Sequence, residues 1–150
     1  MIIRKATLDD IEGIYEVEED CFSVPWSRNS IKMDLMEAER TLYFVLEENQ
    51  EIVGYGGAWI VLDEGQITNI AVKNKYRRSG NGAVLVRKLV RELFKKGMTE
   101  IFLEVRQSNT AALVLYRRFG FSVKGVRKNY YTDPIEDAYI MSLGKEEQDI

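Results

Sequence analysis

The sequence predicts a single-domain α/β fold, and three observations carry that expectation. A chain of 150 residues is near the usual size of one domain and long enough to bury a core without metal or disulfide staples. Hydrophobic residues make up 45% and charged residues 30%, with only 2 Pro and 11 Gly, which excludes collagen-like, Pro-rich and low-complexity chains. The hydrophobic period also changes, from strand-like runs punctuated by turns to helical spacing after residue 73. The resulting order is β-α-α-β-β-β-α-β-α-β-β, without a linker or internal repeat.

Each element has a local reason. Ile2 to Ala6 reads as a short strand. Thr7 and Asp10 form a near capping box for a helix running to about Asp20, with Ile11, Ile14, Tyr15 and Val17 or Glu18 at helical spacing. Pro25 removes a donor and restricts Val24, so the helix cannot continue. Ser27 can cap a second helix to about Glu37. Leu42–Leu46, Ile52–Val61 and Gln66–Val72 are β-branched or aromatic runs separated by polar turns, hence an antiparallel meander. Val84-Leu85, Leu89-Val90 and Leu93-Phe94 repeat at helical spacing and stop at Gly97. Ile101–Val105 is a strand, Asn109–Phe119 a helix ended by Gly120, and 121–123 with 127–131 suggest a strand. Ala138–Leu143 is the last strand. Residues 144–150 read as a polar, frayed tail after a domain spanning 1–143.

The absences are informative. With no histidine and 1 cysteine, a Ser-His-Asp triad, a Cys-His dyad, a His-ligated zinc site and an internal disulfide cannot be built within this chain. No apolar run approaches the ~20 residues of a membrane span, and the first residues lack the apolar core of a signal peptide. A cytoplasmic protein without a membrane partner is expected. The net charge of −3 hides a segregation: residues 1–72 carry 5 basic and 15 acidic side chains, residues 73–96 carry 9 and 1. This favours a compact anionic ligand over a long nucleic acid, so no direct nucleic-acid binding is expected. A basic, solvated helix face is the alternative.

Three constellations could carry chemistry. In Tyr76-Arg77-Arg78-Ser79-Gly80-Asn81-Gly82-Ala83, two glycines permit a tight bend before a helix whose free N–H groups favour phosphate, and Arg77 and Arg78 add charge. A pyrophosphate cradle or a structural strand–helix turn fits this run. Leu85 breaks a dinucleotide fingerprint, and no Gly-Lys-Ser/Thr exists for a P-loop. In Leu103-Glu104-Val105-Arg106, Glu104 faces away from Leu103 and Val105; a carboxylate in an apolar strand is functional or paired with Arg106 or another arginine. In the helix after Ser108, Asn109, Ala112 and Tyr116 share one face, leaving a slender gap, or Tyr116 is a core residue.

These residues resemble the GNAT superfamily of N-acetyltransferases. Asn69 to Gly82 is similar to its acetyl-CoA motif. Phe22–Ser27, Leu103–Asn109, Leu115–Phe121, and Arg127–Tyr131 followed by Glu136-Asp137-Ala138 resemble the bacterial RimI type, which acetylates the N-terminal alanine of a small-subunit ribosomal protein. The resemblance spans roughly 1–143 and implies a mixed, mostly antiparallel central sheet of about seven strands flanked by about four helices. It also implies roles. Ile70, Ala71 and Val72 would pair with the pantetheine arm of acetyl-CoA like an added strand. Amides from Arg78 through Ser79, Gly80, Asn81, Gly82 and Ala83 would hold its pyrophosphate, and Asn109 would hydrogen-bond it. Glu104 would be general base, Tyr116 general acid, and Tyr130 and Tyr131 could wall the acceptor groove or be packing residues. Asn74 stands where the family often has proline, which suggests a less rigid strand exit.

The implied chemistry suits the composition. A terminal amine of pKa near ~8 must lose a proton before attack, and a phenol can protonate a departing thiolate, so no histidine, cysteine or metal is required. Cys21 reads as a small buried hydrophobe. The acids at Glu16, Glu18, Glu19 and Asp20 could attract a basic protein tail or form a solvated face. The substrate is expected to be the N-terminus of a small-subunit ribosomal protein. Acetylation of small amines or lysines, a non-catalytic CoA-binding module and a nucleotide-binding protein are the rivals.

Overall fold

In the computed structural model, which describes residues 1–147, the chain runs β1 (Ile2–Lys5), α1 (Ile11–Cys21), α2 (Arg28–Met36), β2 (Thr41–Glu48), β3 (Glu51–Val61), β4 (Glu64–Val72), α3 (Asn81–Lys95), β5 (Glu100–Arg106), α4 (Thr110–Arg118), β6 (Ser122–Thr132) and β7 (Ile135–Gly144). The seven strands form one sheet in the order β1-β2-β3-β4-β5-β7-β6. Every neighbouring pair is antiparallel except β4 with β5, so the mixed, mostly antiparallel sheet is as expected.

Strand alternation creates two cores. Leu42, Phe44 and Leu46 of β2 turn to one face, where Leu85, Leu89 and Leu93 of α3 and Leu113 of α4 cover them. Tyr43 and Val45 turn to the other face and meet Ile14, Val17 and Ile31 of α1 and α2. The glycines of β3 let these layers close: a Cβ on Gly57 would stand 2.8 Å from the Tyr43 ring, and one on Gly56 2.9 Å from Leu89 Cδ1.

Two local details differ from expectation. The first helix starts as a 3-10 turn, Leu8–Asp10, where the Thr7 amide donates to Asp10 Oδ2 at 2.8 Å and the Arg4 guanidinium grips both Asp10 oxygens at 2.9 Å. The strand suggested by 121–123 with 127–131 is present as Ser122–Thr132. The last strand reaches Gly144, and a 3-10 turn at Lys145–Glu147 follows, its Lys145 amide donating to the Thr99 carbonyl at 2.9 Å. The rest of the expected tail lies outside the described residues.

One feature of topology positions the site. The parallel contact covers only Glu64↔Glu100, Gly65↔Ile101 and Gln66↔Phe102. Both strands then run on without pairing to each other, so the sheet opens into a wedge between them.

Candidate active site

The loop from β4 to α3 builds an anion cradle. After a 3-10 turn at Asn74–Tyr76, Arg78 and Gly80 both take left-handed backbone, at φ +64° and +80°. An added Cβ on Gly80 would meet nothing within 4 Å, so its need is conformational. The first helical bond of α3 is Val84 N–H to Gly80 O at 3.1 Å, and Asn81 Nδ2 ties back to the Tyr76 carbonyl at 2.8 Å. Among the described residues, the amides of Ser79, Gly80, Asn81, Gly82 and Ala83 have no protein acceptor. Five such donors at the positive end of a helix dipole suit a phosphate group. Gly82 is not forced by packing, since its Cβ would make an ordinary 3.5 Å contact with Leu115 Cδ2.

The basic segment divides its labour. Arg78 has no protein partner among the described residues, whereas Arg77 braces the loop through Nε to the Val72 carbonyl at 2.8 Å and Nη1 to Asn74 Oδ1 at 2.7 Å. Lys73 bonds Glu51 at 3.0 Å and Glu16 at 3.6 Å, so part of the charge segregation is internal. Asn74 is anchored at the strand exit by its own backbone. Its amide donates to Asp20 Oδ2 at 2.7 Å, a bond proline cannot make, so hydrogen bonds tie the strand exit where a proline ring would stiffen it.

Along the wedge, β4 has β3 on one side and no strand on the other from Asn69 to Val72. A bulge at Thr68 precedes this stretch, with Thr68 Oγ1 donating to the Gly57 carbonyl at 3.2 Å. The open edge of Ile70 and Ala71 can accept an extended ligand as a further strand. The Val72 carbonyl is already shared by Arg77 and the Cys21 thiol, whose Sγ stands 3.3 Å away. Cys21 is half-buried, and burial pushes its thiol pKa up.

Beneath this edge lies a residue that the sequence reading placed on an acidic surface. Glu18 is 1% exposed. It accepts from Trp26 N–H at 2.8 Å, Tyr55 O–H at 2.6 Å and Asn69 Nδ2 at 2.9 Å. Its position four residues after Ile14 and seven after Ile11 was the available signal.

Across the wedge, β5 alternates as predicted, with Ile101, Leu103 and Val105 in the core and Glu104 on the opposite face. The Glu104 side chain is 17% exposed, and its Oε1 lies 3.4 Å from both Gln66 Nε2 and Arg127 Nε. Its ion-pair partner is therefore Arg127, while Arg106 bonds Glu136 at 3.1 Å and lies 4.3 Å from the Tyr131 ring centroid. Tyr130 and Tyr131 stand together, ring centroids 5.0 Å apart and nearly perpendicular. Burial and then the Glu104 carboxylate raise the Tyr130 hydroxyl pKa; burial, then Tyr130 and Glu104, push Tyr131 up to about 12. Tyr116 is 8% exposed, and burial followed by the Tyr131 charge raises its pKa above the ordinary value. In this series burial raises the pKa of each of the three tyrosine hydroxyls, with Glu104 adding to it at Tyr130 and Tyr131, and Tyr131 at Tyr116.

Two details refine this series. The Tyr116 hydroxyl bonds no protein atom, yet no fully buried side-chain polar atom among the described residues lacks a partner, so this hydroxyl reaches accessible space. Asn109 does not lie on a helix face with Ala112 and Tyr116. It is the N-cap of α4, its Oδ1 accepting from the Ala112 amide at 3.1 Å, which leaves Nδ2 with no protein acceptor.

Residues 11–121 match the sequence pattern of the Acetyltransferase (GNAT) family. The chain belongs to the GNAT acetyltransferase family. A Bacillus subtilis protein, provisionally named as a ribosomal protein bS18-alanine N-acetyltransferase, is 44% identical over 139 residues, covering 93% of this chain and 92% of that protein. The Escherichia coli K12 protein named ribosomal protein bS18-alanine N-acetyltransferase is 40% identical over 136 residues, or 89% of this chain and 90% of the other. The crystal structure of the ribosomal-protein-S18-alanine N-acetyltransferase from Escherichia coli superposes with a TM-score of 0.88 at 36% identity, covering 99% of this chain and 95% of that one.

As a GNAT protein the chain is an acetyl-CoA-dependent N-acetyltransferase, which agrees with the α/β acetyltransferase expected from its motifs. The GNAT sheet also explains what the sequence missed. Arg127 and Gln66 sit on strands distant in sequence from Glu104, so their approach to it carries no local signal.

Proposed function

We propose that this chain moves acetyl from acetyl-CoA to the α-amine of an N-terminal alanine, in a small-subunit ribosomal protein, by direct transfer in a ternary complex in the cytoplasm. The observation that carries the reading is the wedge between β4 and β5. The amide cradle closes one end, and Glu104 lies near the other, two residues past the last parallel pair. The four residue-to-residue steps from Thr68 to Val72 span about 13 Å, enough to lay an extended arm between the two ends. The names of the relatives, at 40% identity and above over most of both chains, support the alanine terminus as acceptor.

In this reading Ser79–Ala83 and Arg78 hold the pyrophosphate, Ile70 and Ala71 pair with the pantetheine arm, and Asn109 Nδ2 adds a donor. Glu104, through a water or directly, takes a proton from the α-ammonium, whose ordinary pKa of about 8 leaves it mostly charged at neutral pH. A strand amide near Ile70 steadies the oxyanion as the amine attacks. Tyr116, kept protonated by its buried setting, offers its hydrogen to the departing sulfur.

Incubation with acetyl-CoA and peptides beginning with Ala, Ser or Met, and with an internal-lysine peptide, tests this. Mass spectrometry should place one acetyl group on the α-amine of the alanine peptide. Acetyl found only on lysine, or on none of the peptides, contradicts the proposal.

A further inference from the structure

Glu136 and Asp137 are adjacent on β7, and each carboxylate holds a different part of the acceptor side. Glu136 accepts from Ser108 N–H at 2.7 Å, Ser108 Oγ at 3.0 Å and Arg106 Nη1 at 3.1 Å, at the corner where β5 turns into α4. Asp137 Oδ1 accepts from the Asn129 amide at 2.8 Å, and its own carbonyl accepts from Gln107 N–H at 3.3 Å.

Asn129 is the left-handed residue of a bulge, at φ +54°. Arg127 pairs with Ala138 and Tyr131 with Glu136, so four steps along β6 oppose two along β7. A regular strand would send Tyr130 and Tyr131 to opposite faces. The bulge instead places their rings 5.0 Å apart, edge to face, with Arg127, the ion-pair partner of Glu104, 5.8 Å from the Tyr130 ring centroid. Lys128, Asn129 and Tyr130 are all exposed, so core packing does not hold the bulge. Asn tolerates the left-handed region better than most residues, but still at some cost. Within the bulge the Asp137 carboxylate accepts the Asn129 amide and so ties this backbone to β7.

We infer that Asp137 is a positioning residue for acceptor specificity: by holding the Asn129 amide it fixes the bulge, and the bulge fixes the paired tyrosine wall against which the acceptor end is placed. The inference rests on reading Tyr130 and Tyr131 as that wall. It concerns the acceptor alone, because Asp137 contacts neither the β4 edge nor the α3 cradle.

Steady-state kinetics with acetyl-CoA and an alanine-starting peptide test it, on the wild type and on Asp137→Ala, Asp137→Asn, Asn129→Gly and Asn129→Val. Asparagine keeps an Oδ1 acceptor, and glycine keeps both the N–H and the left-handed conformation. Asp137→Ala should raise the peptide KM about tenfold or more, as small misplacements of binding groups do, with the acetyl-CoA KM unchanged. Asp137→Asn and Asn129→Gly should stay near the wild-type value. Asn129→Val, a β-branched residue disfavoured at positive φ, should reproduce the alanine variant. An unchanged peptide KM in both Asp137→Ala and Asn129→Val overturns the inference. So does a rise in the acetyl-CoA KM, or an Asp137→Asn variant as impaired as the alanine one. If Asp137→Ala does not fold, the Asn129 pair decides. A wild-type protein that leaves the peptide unmodified overturns the acceptor reading itself, and the inference with it; intact acetylation with an unmoved KM overturns the inference alone.

Discussion

Glu104 and Tyr116 are held by different physics, and their variants should fail differently. Glu104 sits among partners, with Gln66 and Arg127 both on Oε1. If Glu104 is the base proposed above, Glu104→Gln removes the proton acceptor but not the shape, so turnover should fall about a hundredfold or more while acetyl-CoA affinity persists. Stopped-time assays beside equilibrium binding check this, and wild-type turnover would remove Glu104 as the base. Tyr116 packs edge-on against Phe121, centroids 5.8 Å apart, while its hydroxyl has no protein partner. Tyr116→Phe should therefore lower kcat and leave the thermal midpoint near the wild-type value; a large loss of stability would show the hydroxyl to be structural. Glu104 was legible because a carboxylate in an apolar strand must be explained. Asn109 was misplaced on a helix face with Ala112 and Tyr116, because whether the residue before a helix caps it or joins it depends on backbone angles.

At the level of elements, α3 and the wedge do most of the work. The run from Ser79 to Ala83 announced a tight turn into a helix, and the structure turns it into five unpartnered amides. Gly82→Asp separates fold from binding here. A negative charge in the first turn of a helix favours the helix by a few tenths of a kcal/mol, yet it repels a pyrophosphate at close range. Acetyl-CoA affinity should drop about tenfold from that like-charge contact while the melting temperature holds or rises. Calorimetric titration and a melt settle it, and unchanged affinity would move the cradle elsewhere. The wedge itself has no mark in the residues of β4 or β5, since both continue to look like good strands beyond Gln66 and Phe102. The bulge near Asn129 was equally silent, because exposed residues carry no hydrophobic period to betray a register shift.

For the whole molecule, the two-faced sheet buries tyrosines that the alternation of β2 and β3 delivers to the α1–α2 side. Tyr55 is raised well above its ordinary pKa by burial and then the Glu18 charge, and Tyr43 by burial and then Asp34; Tyr116 is raised on the opposite face. Folded values above unfolded ones mean that the unfolded chain loses its protons first as pH rises. Their contribution is complete below the unfolded value of about 10 and is lost above it. Urea midpoints measured from pH 8 to 11 should hold and then fall beyond about pH 10, and a flat profile would contradict the buried tyrosine assignment. Local signals in the chain, its periods, caps, glycines and missing histidines, determined the element order, the α/β class, the tight turn into α3 and the exclusion of histidine-based triads and dyads, because each depends on composition or on neighbours within a few residues. The tertiary structure alone decided where the sheet opens, which arginine meets Glu104 and that two adjacent tyrosines meet edge to face. Those outcomes depend on register and on contacts between residues far apart in the chain, which no local pattern encodes.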